Sequence, residues 1–183
     1  MTALPTSRTV YQDYITYLKQ FSSISPLAEK AIIDRVEIIK GKKGDMILTE
    51  DERCQHLYYV HTGAAHLYFR RGDKRVTTWL CLDNDIVTSV ESITDPYSVK
   101  RNIELLDDSV IVRLSFEDLN QMYKDHHEIE TLGRLLTTHY FAVMNQKMHR
   151  NYFLTAKERY DRLLDEHPEI AWRVPLGIIA NYL

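Results

Sequence analysis

The sequence predicts an α+β chain in which a compact block of short β-strands sits between helical segments. Three observations carry that expectation. Apolar residues recur at helical spacing up to about residue 35. Between Val36 and Leu114 they fall instead into short runs rich in β-branched and aromatic residues, separated by turn residues at near-regular intervals, the pattern of a sandwich or barrel. From Ser115 onward the helical period returns.

Taken in order, Tyr14, Tyr17, Leu18 and Phe21 follow i, i+3, i+4, i+7 and define one face of a helix over Tyr11 to Phe21. Ser25-Pro26 reads as an N-cap followed by proline at the first helical position, opening a short helix to about Arg35. Strands are expected at Val36–Ile39, Met46–Leu48, Leu57–Val60, Ala65–Phe69, Val76–Leu82, Ile103–Leu106 and Val110–Leu114. Gly41 and Gly44, Asp51-Glu52, Thr62-Gly63, Gly72-Asp73, Asp83-Asn84-Asp85 and Asp107-Asp108 supply the turns. Arg71-Gly72-Asp73-Lys74, between two aromatic runs, is the clearest hairpin.

Ser115-Phe-Glu-Asp118 and Asp125-His-His-Glu128 both read as helix starts, a capping oxygen with an acid three residues on. The second opens a segment from Asp125 to Tyr152 with one glycine and no proline, a rod of roughly 40 Å at the helical rise. Along it Ile129, Leu132, Leu136, His139 and Val143 keep the spacing of a heptad seam. That stripe fits a helix pairing with a second copy of the chain, or one packed on its own strands. Thr155-Ala-Lys-Glu158 is a capping box starting a helix to about Glu166, and Val174-Pro175 precedes an apolar helix start, Leu176 to Leu183.

Composition narrows the function classes. At 183 residues, 44% hydrophobic and 27% charged, the chain is a folded domain, or a domain with a small attachment, not a disordered segment. No apolar run approaches the ~18 residues of a membrane span, and residues 1–11 lack the apolar stretch of a signal peptide. Cys54 and Cys81 form no CxxC pair, so a reduced, cytoplasmic protein is expected, with both thiols filling core. His56, His61 and His66 recur at five, an odd step that alternates faces on a strand, and no metal-ligand histidine spacing occurs. Nucleophile-elbow, P-loop and dinucleotide motifs are missing, and Asp83, Asp85, Asp107 and Asp108 fall in turns, where aspartate bonds local backbone. Neither catalysis nor a bound metal is expected. The formal charge of −3 argues against a nucleic-acid partner. Between 131 and 162, however, six cations (Arg134, Lys147, Arg150, Lys157, Arg159, Arg162) face only Glu158 and Asp161, a basic segment on an acidic chain.

Lys42-Lys-Gly-Asp-Met-Ile-Leu-Thr-Glu50, His56-Leu-Tyr-Tyr-Val-His-Thr-Gly63 and the run from Ala64 to Phe69 resemble the first strands of a cyclic-nucleotide-binding-type jelly roll, in particular that of the Crp/Fnr transcription regulators. Thr155 to Tyr160, Leu163-Leu164, Pro168, Val174-Pro175 and Ile179 to Leu183 are similar to the linker and first DNA-domain helix of the Crp/Fnr-like subgroup found in Bacteroidetes-type bacteria. The resemblance implies a β jelly roll (double-stranded β-helix) sensor flanked by N-terminal helices over 1–124, a dimerisation helix over 125–152 and the start of a winged helix-turn-helix over 153–183. Leu176, Ile179, Ala180 and Leu183 would belong to that module's first helix. The chain is expected to be truncated before the recognition helix, so no base contact can be assigned. Implied partners are DNA, a second copy of the chain and a small-molecule effector, with no membrane.

The same resemblance places the effector site. Cyclic-nucleotide binders of this fold use a Gly-Glu pair opening a short helix, with an arginine about ten residues on, to hold phosphate and ribose. Here that stretch reads Thr88-Ser89-Val90-Glu91, and the arginine position falls at Ser98 or Val99. Cyclic AMP in its usual pose is therefore not expected, and no other cofactor is identified; an iron–sulfur cluster would need cysteines that the N-terminus lacks. If Val99 to Leu105 is a strand, Arg101 shares a face with Ile103 and Leu105 and could enter the cavity as a substitute; a solvated Arg101 at the strand entrance is the preferred reading. Thr88, Ser89 and Glu91 either bond another small molecule or cap the short helix. The alternatives to a regulator are a stand-alone sensor and a cupin-like metalloenzyme.

Overall fold

The structure, a computed structural model, describes residues 5–91 and 100–183. Helix α1 (Ser7–Lys19) is capped by the Thr6 hydroxyl, and α2 (Pro26–Ile33) by Ser25 with proline at its first position. Eight strands follow: β1 (Glu37–Gly41), β2 (Met46–Leu48), β3 (His56–Thr62), β4 (Ala65–Arg71), β5 (Lys74–Cys81), β6 (Asp85–Val87), β7 (Asn102–Leu105) and β8 (Ser109–Ser115). The last five elements are α3 (Phe116–Asp125), α4 (His127–Phe153), α5 (Ala156–Glu166), α6 (Ile170–Arg173) and α7 (Leu176–Tyr182).

The strands form two antiparallel four-stranded sheets, ordered β1-β8-β3-β6 and β2-β7-β4-β5. Alternating between facing sheets in this way is a jelly roll. Period-two patterning explains its layers. On β3 and β8, Tyr58, Val60 and Ile111 point between the sheets, while Tyr59, Val110, Val112 and Leu114 point outward. The outward set is covered by Val10, Tyr14 and Leu18 of α1, Ile32 of α2, and Ile129 and Leu132 of α4. Burial on both faces is why β3 and β8 read as continuous apolar runs. A third cluster joins Leu80, Leu82 and Leu106 to Ile170, Val174 and Ile179, seating the C-terminal helices on the jelly roll.

Several expectations shift. The strand β6 is too short for a periodic signal, and its residues read only as the end of a turn. Asp125 closes α3 instead of opening α4, which starts at His127 without a side-chain cap. Glu128 is used elsewhere: its carboxylate accepts the Ser25 backbone N–H (2.7 Å) and hydroxyl (2.5 Å), tying α4 to the start of α2. Bonds to Ser25 hold the Glu128 carboxyl below its ordinary pKa. Gly133, the single glycine of α4, permits close approach of α3, since a Cβ there would collide with the Tyr123 ring. Arg71 and Lys74 do flank a hairpin, with Gly72 at φ +60°. No helix among the described residues is long and apolar enough to cross a membrane.

Candidate functional site

Between the jelly roll, α3 and α4 lies a cavity of about 700 Å³, in the range that holds small molecules. Its walls are mainly apolar: Leu67, Val87 and Leu114 from the roll, Phe116 from α3, and Leu136, Phe141 and Met144 from α4. Arg101 is its one cation and Glu91 its one acid among the described residues. Arg101 precedes β7 and is not part of it; Ser98 and Val99, where the arginine position was sought, lie outside the described residues.

The expectation of a solvated Arg101 is overturned. Its side chain is 13% exposed and lies over the Phe69 ring at 5.3 Å. One Nη donates to Glu91 Oε1 (2.7 Å), the other to Thr78 Oγ1 (3.2 Å). A charge so placed is already compensated, so it holds the wall together more than it invites an anion. The Thr88 hydroxyl donates to the His56 carbonyl (2.9 Å), and Ser89, fully buried, bonds Glu91 at 3.4 Å without facing the cavity. Thr88, Glu91 and Arg101 thus share one wall, while Ser89 stands behind it. Among the described residues the wall offers one cation, Arg101, and it is paired with Glu91.

The seam residues divide differently from their spacing. Ile129 and Leu132, 2% and 4% exposed, pack in the chain's own core, and Leu136 leans on it. His139 stacks edge-on with Phe21 (5.1 Å), and Val143 faces a second cleft. This correction has a simple cause: the outer sheet face needs a cover, and a heptad stripe cannot declare whether its partner is its own fold or another chain. The opposite stripe stays in solvent, with Phe141 66% and Met144 60% exposed, followed by Met148 and Tyr152.

A buried polar knot ties α4 to the roll. Tyr140 donates to Asp85 Oδ1 (2.6 Å), accepts the Ile86 N–H (3.0 Å) and meets the Tyr17 hydroxyl at 2.8 Å. Burial lifts the Asp85 carboxyl above the usual carboxylate range and the Tyr140 phenol well above its own. Asp85 is therefore more than a turn residue, and so is Asp83. Asp83 accepts the Gly63 N–H (2.6 Å) and two bonds from Arg173 (2.7 and 3.0 Å), which lower its pKa against the opposing effect of burial. Arg173 also donates to Asp107 (3.3 Å) and the Gly63 carbonyl (2.7 Å). Two turns of the roll thereby grip the residue that ends α6. Beyond it, Asn181 of α7 accepts the Thr77 N–H (2.5 Å) of β5, an edge strand. Of the expected first-helix residues, Ile179 is buried on the roll, Leu183 is half-buried, and Leu176 and Ala180 are exposed. Sequence reasoning missed this grip entirely, because Arg173, Asp83 and Asp107 are far apart in the chain and each is unremarkable alone.

Two buried histidines serve the fold. His61 bonds Asp13 (2.8 Å), and His66, buried, bonds the Thr77 hydroxyl (3.2 Å). Among the described residues no cluster of three His, Cys, Asp or Glu is placed to hold a metal ion. Both cysteines are buried and free; burial raises the Cys81 thiol well above its usual pKa.

Comparison with known proteins fits this geometry. Residues 39–126 match the family described as the cyclic nucleotide-binding domain. No curated protein matches the chain by sequence. Among solved structures, a transcriptional regulator of the Crp/Fnr family from Eubacterium rectale superposes with TM-score 0.70 at 20% identity, over 92% of this chain and 81% of that one. FixK2 from Bradyrhizobium japonicum gives 0.67 at 20% identity, covering 81% and 77%. The catabolite activator protein of Thermus thermophilus gives 0.58 at 17%, covering 82% and 72%. At such identities the likeness establishes the fold.

Proposed function

We propose, from the premise that the chain carries a cyclic nucleotide-binding-type domain with Crp/Fnr regulators as structural neighbours, that it is the sensor and dimerisation part of a DNA-binding transcription regulator. The observation that carries this reading is the extent of the match. It covers 92% of this chain and 81% of the Crp/Fnr-family regulator from Eubacterium rectale, so it extends past the jelly roll into the helices that follow.

In this reading the solvent-facing stripe of α4, Phe141, Met144, Met148 and Tyr152, pairs with its copy in a partner chain. Phe141 and Met144 also border the cavity, so a molecule bound there touches the seam and biases one dimer arrangement over another. The wall chemistry suits an uncharged, mainly apolar effector and not cyclic AMP. The helix α7 is the first helix of the DNA-reading module.

Selection of duplexes from a random pool by the full-length gene product tests the reading. Enrichment of an inverted repeat supports it; a product that enriches no sequence overturns it. Calorimetry with cyclic AMP tests the effector assignment separately: no saturable heat is expected up to millimolar nucleotide, and one-per-chain micromolar binding would overturn it.

A further inference from the structure

We propose that a second cleft, between α4, α5 and the β5–β6 turn, binds a small organic anion, a carboxylate or phosphate on an apolar body, through Lys147 and Arg159. The cleft has a volume of about 490 Å³ and lies on the opposite side of Trp79 and Tyr140, which line both cavities. It does not depend on the regulator reading, only on the packing of these elements.

Arg150 and the carboxylates that line the cleft have partners, whereas two cations have no carboxylate among the described residues. Arg150 is neutralised by Glu166 through two bonds of 2.7 Å. Asp83 is taken by Arg173, Asp85 is engaged with Tyr140 and the Ile86 N–H, and Glu169 lies 3.7 Å from His167. Lys147, by contrast, has no carboxylate partner among the described residues. Its ammonium donates to the Thr78 carbonyl (2.7 Å), released by a bulge in β5, and sits 3.4 Å from the centre of the Tyr182 ring. Arg159 donates one Nη to the Leu154 carbonyl (2.7 Å), and its buried Nε has no partner.

Two half-buried cations lacking counter-charge, on facing helices of one cleft, are costly unless an anion completes them. An oxyanion offers the missing acceptors for both, and charge-assisted bonds in a shielded cleft are the strong ones. Burial draws the Lys147 amine down to about pKa 7, which a bound anion would reverse. Beside the polar Asn84, Gln146 and Asn151, the wall carries Trp79, Leu82, Val143, Leu163 and Tyr182, an apolar and aromatic share that suits a ligand with a body over a bare ion. Because its walls come from the roll, α4 and the C-terminal helices, occupancy would favour the docked arrangement of all three.

Titration calorimetry and thermal unfolding of the chain, at constant ionic strength set with chloride, test this with three probes: inorganic phosphate, benzoate and phenyl phosphate. Saturable one-to-one binding of benzoate or phenyl phosphate with a raised Tm is expected. It should weaken at least tenfold in Arg159→Gln and in Lys147→Met, and stay unchanged in Arg113→Gln, which pairs with Glu37 outside the cleft's lining. No saturable binding by any probe overturns the site, as does binding indifferent to both substitutions. Phosphate binding as tightly as phenyl phosphate overturns the apolar body. Circular dichroism of each variant separates loss of binding from loss of fold.

Discussion

Replacing Arg173 with methionine should loosen the C-terminal helices on the jelly roll without unfolding the roll. Arg173 makes three bonds to Asp83 and Asp107 and one to the Gly63 carbonyl, with its side chain 16% exposed. Charge-assisted bonds of this kind contribute ~1.5–3 kcal/mol each when shielded. Asp83 and Asp107 are both more than two-fifths exposed, so solvent screens the pairs and the sum is far from additive. A net loss of about 2 kcal/mol is the reasonable figure, and it leaves two carboxylates facing each other across the vacated position. The apolar seat of Ile170, Val174 and Ile179 remains, each worth ~1.5–3 kcal/mol on burial, so docking is weakened and not abolished. Amide hydrogen exchange followed by mass spectrometry reads this directly. Amides of α7 (Leu176–Tyr182) should exchange about thirtyfold faster, since ~1.4 kcal/mol is a factor of ten, while those of β3 and β8 hold their rates. Unchanged α7 exchange would refute the grip as the element that holds the helices. Equal acceleration throughout the roll would refute the separation of the two units.

Three further outcomes follow from the same contacts. Lys147 has its pKa lowered to about 7 by burial, so between about pH 7 and 10 the unfolded chain binds a proton that the folded chain does not. Stability should therefore rise with pH across that window in urea titrations, and Lys147→Met should flatten the rise. Gly133→Ala, favourable by ~1 kcal/mol in an open helix, should instead destabilise by about 1–3 kcal/mol because the new methyl meets Tyr123; a raised Tm would contradict the packing. Phe141→Glu with Met144→Glu should convert a dimer to monomers in sedimentation with the fold intact. Leu132→Glu, burying a charge in the core, should unfold the chain, so a folded Leu132→Glu monomer would restore the original seam.

What was legible in the sequence, and what was not, separates along physical lines. Local signals survived folding: the Ser25, Ser115 and Thr155 caps, the Gly72 hairpin and the period-two strands are each decided within a few residues. Asp125 and Glu128 failed for the same local reason, since a capping pattern ignores a distant claimant such as Ser25. The orientation of α4 was not legible, because its two apolar stripes have similar spacing and only the position of the roll distinguishes them. Arg101 was judged by its neighbour Lys100, whereas Glu91 and the Thr78 bulge decide its position. The grip on Arg173 and the cleft at Lys147 join residues from opposite ends of the chain, beyond any motif. Thr88, Glu91 and Arg101 border the first cavity, where the pairing of Arg101 with Glu91 and Thr78 is a tertiary contact that no local pattern announces.

In the proposed regulator two chains join along α4 so that paired C-terminal modules read a two-fold site. Sedimentation of the full-length product with its selected duplex, combined with hydroxyl-radical footprinting, tests that most directly. Two chains per duplex are predicted, with protection in two symmetric half-sites one or more helical turns apart, about 34–36 Å per turn. A single chain per duplex with one unrepeated footprint would contradict it.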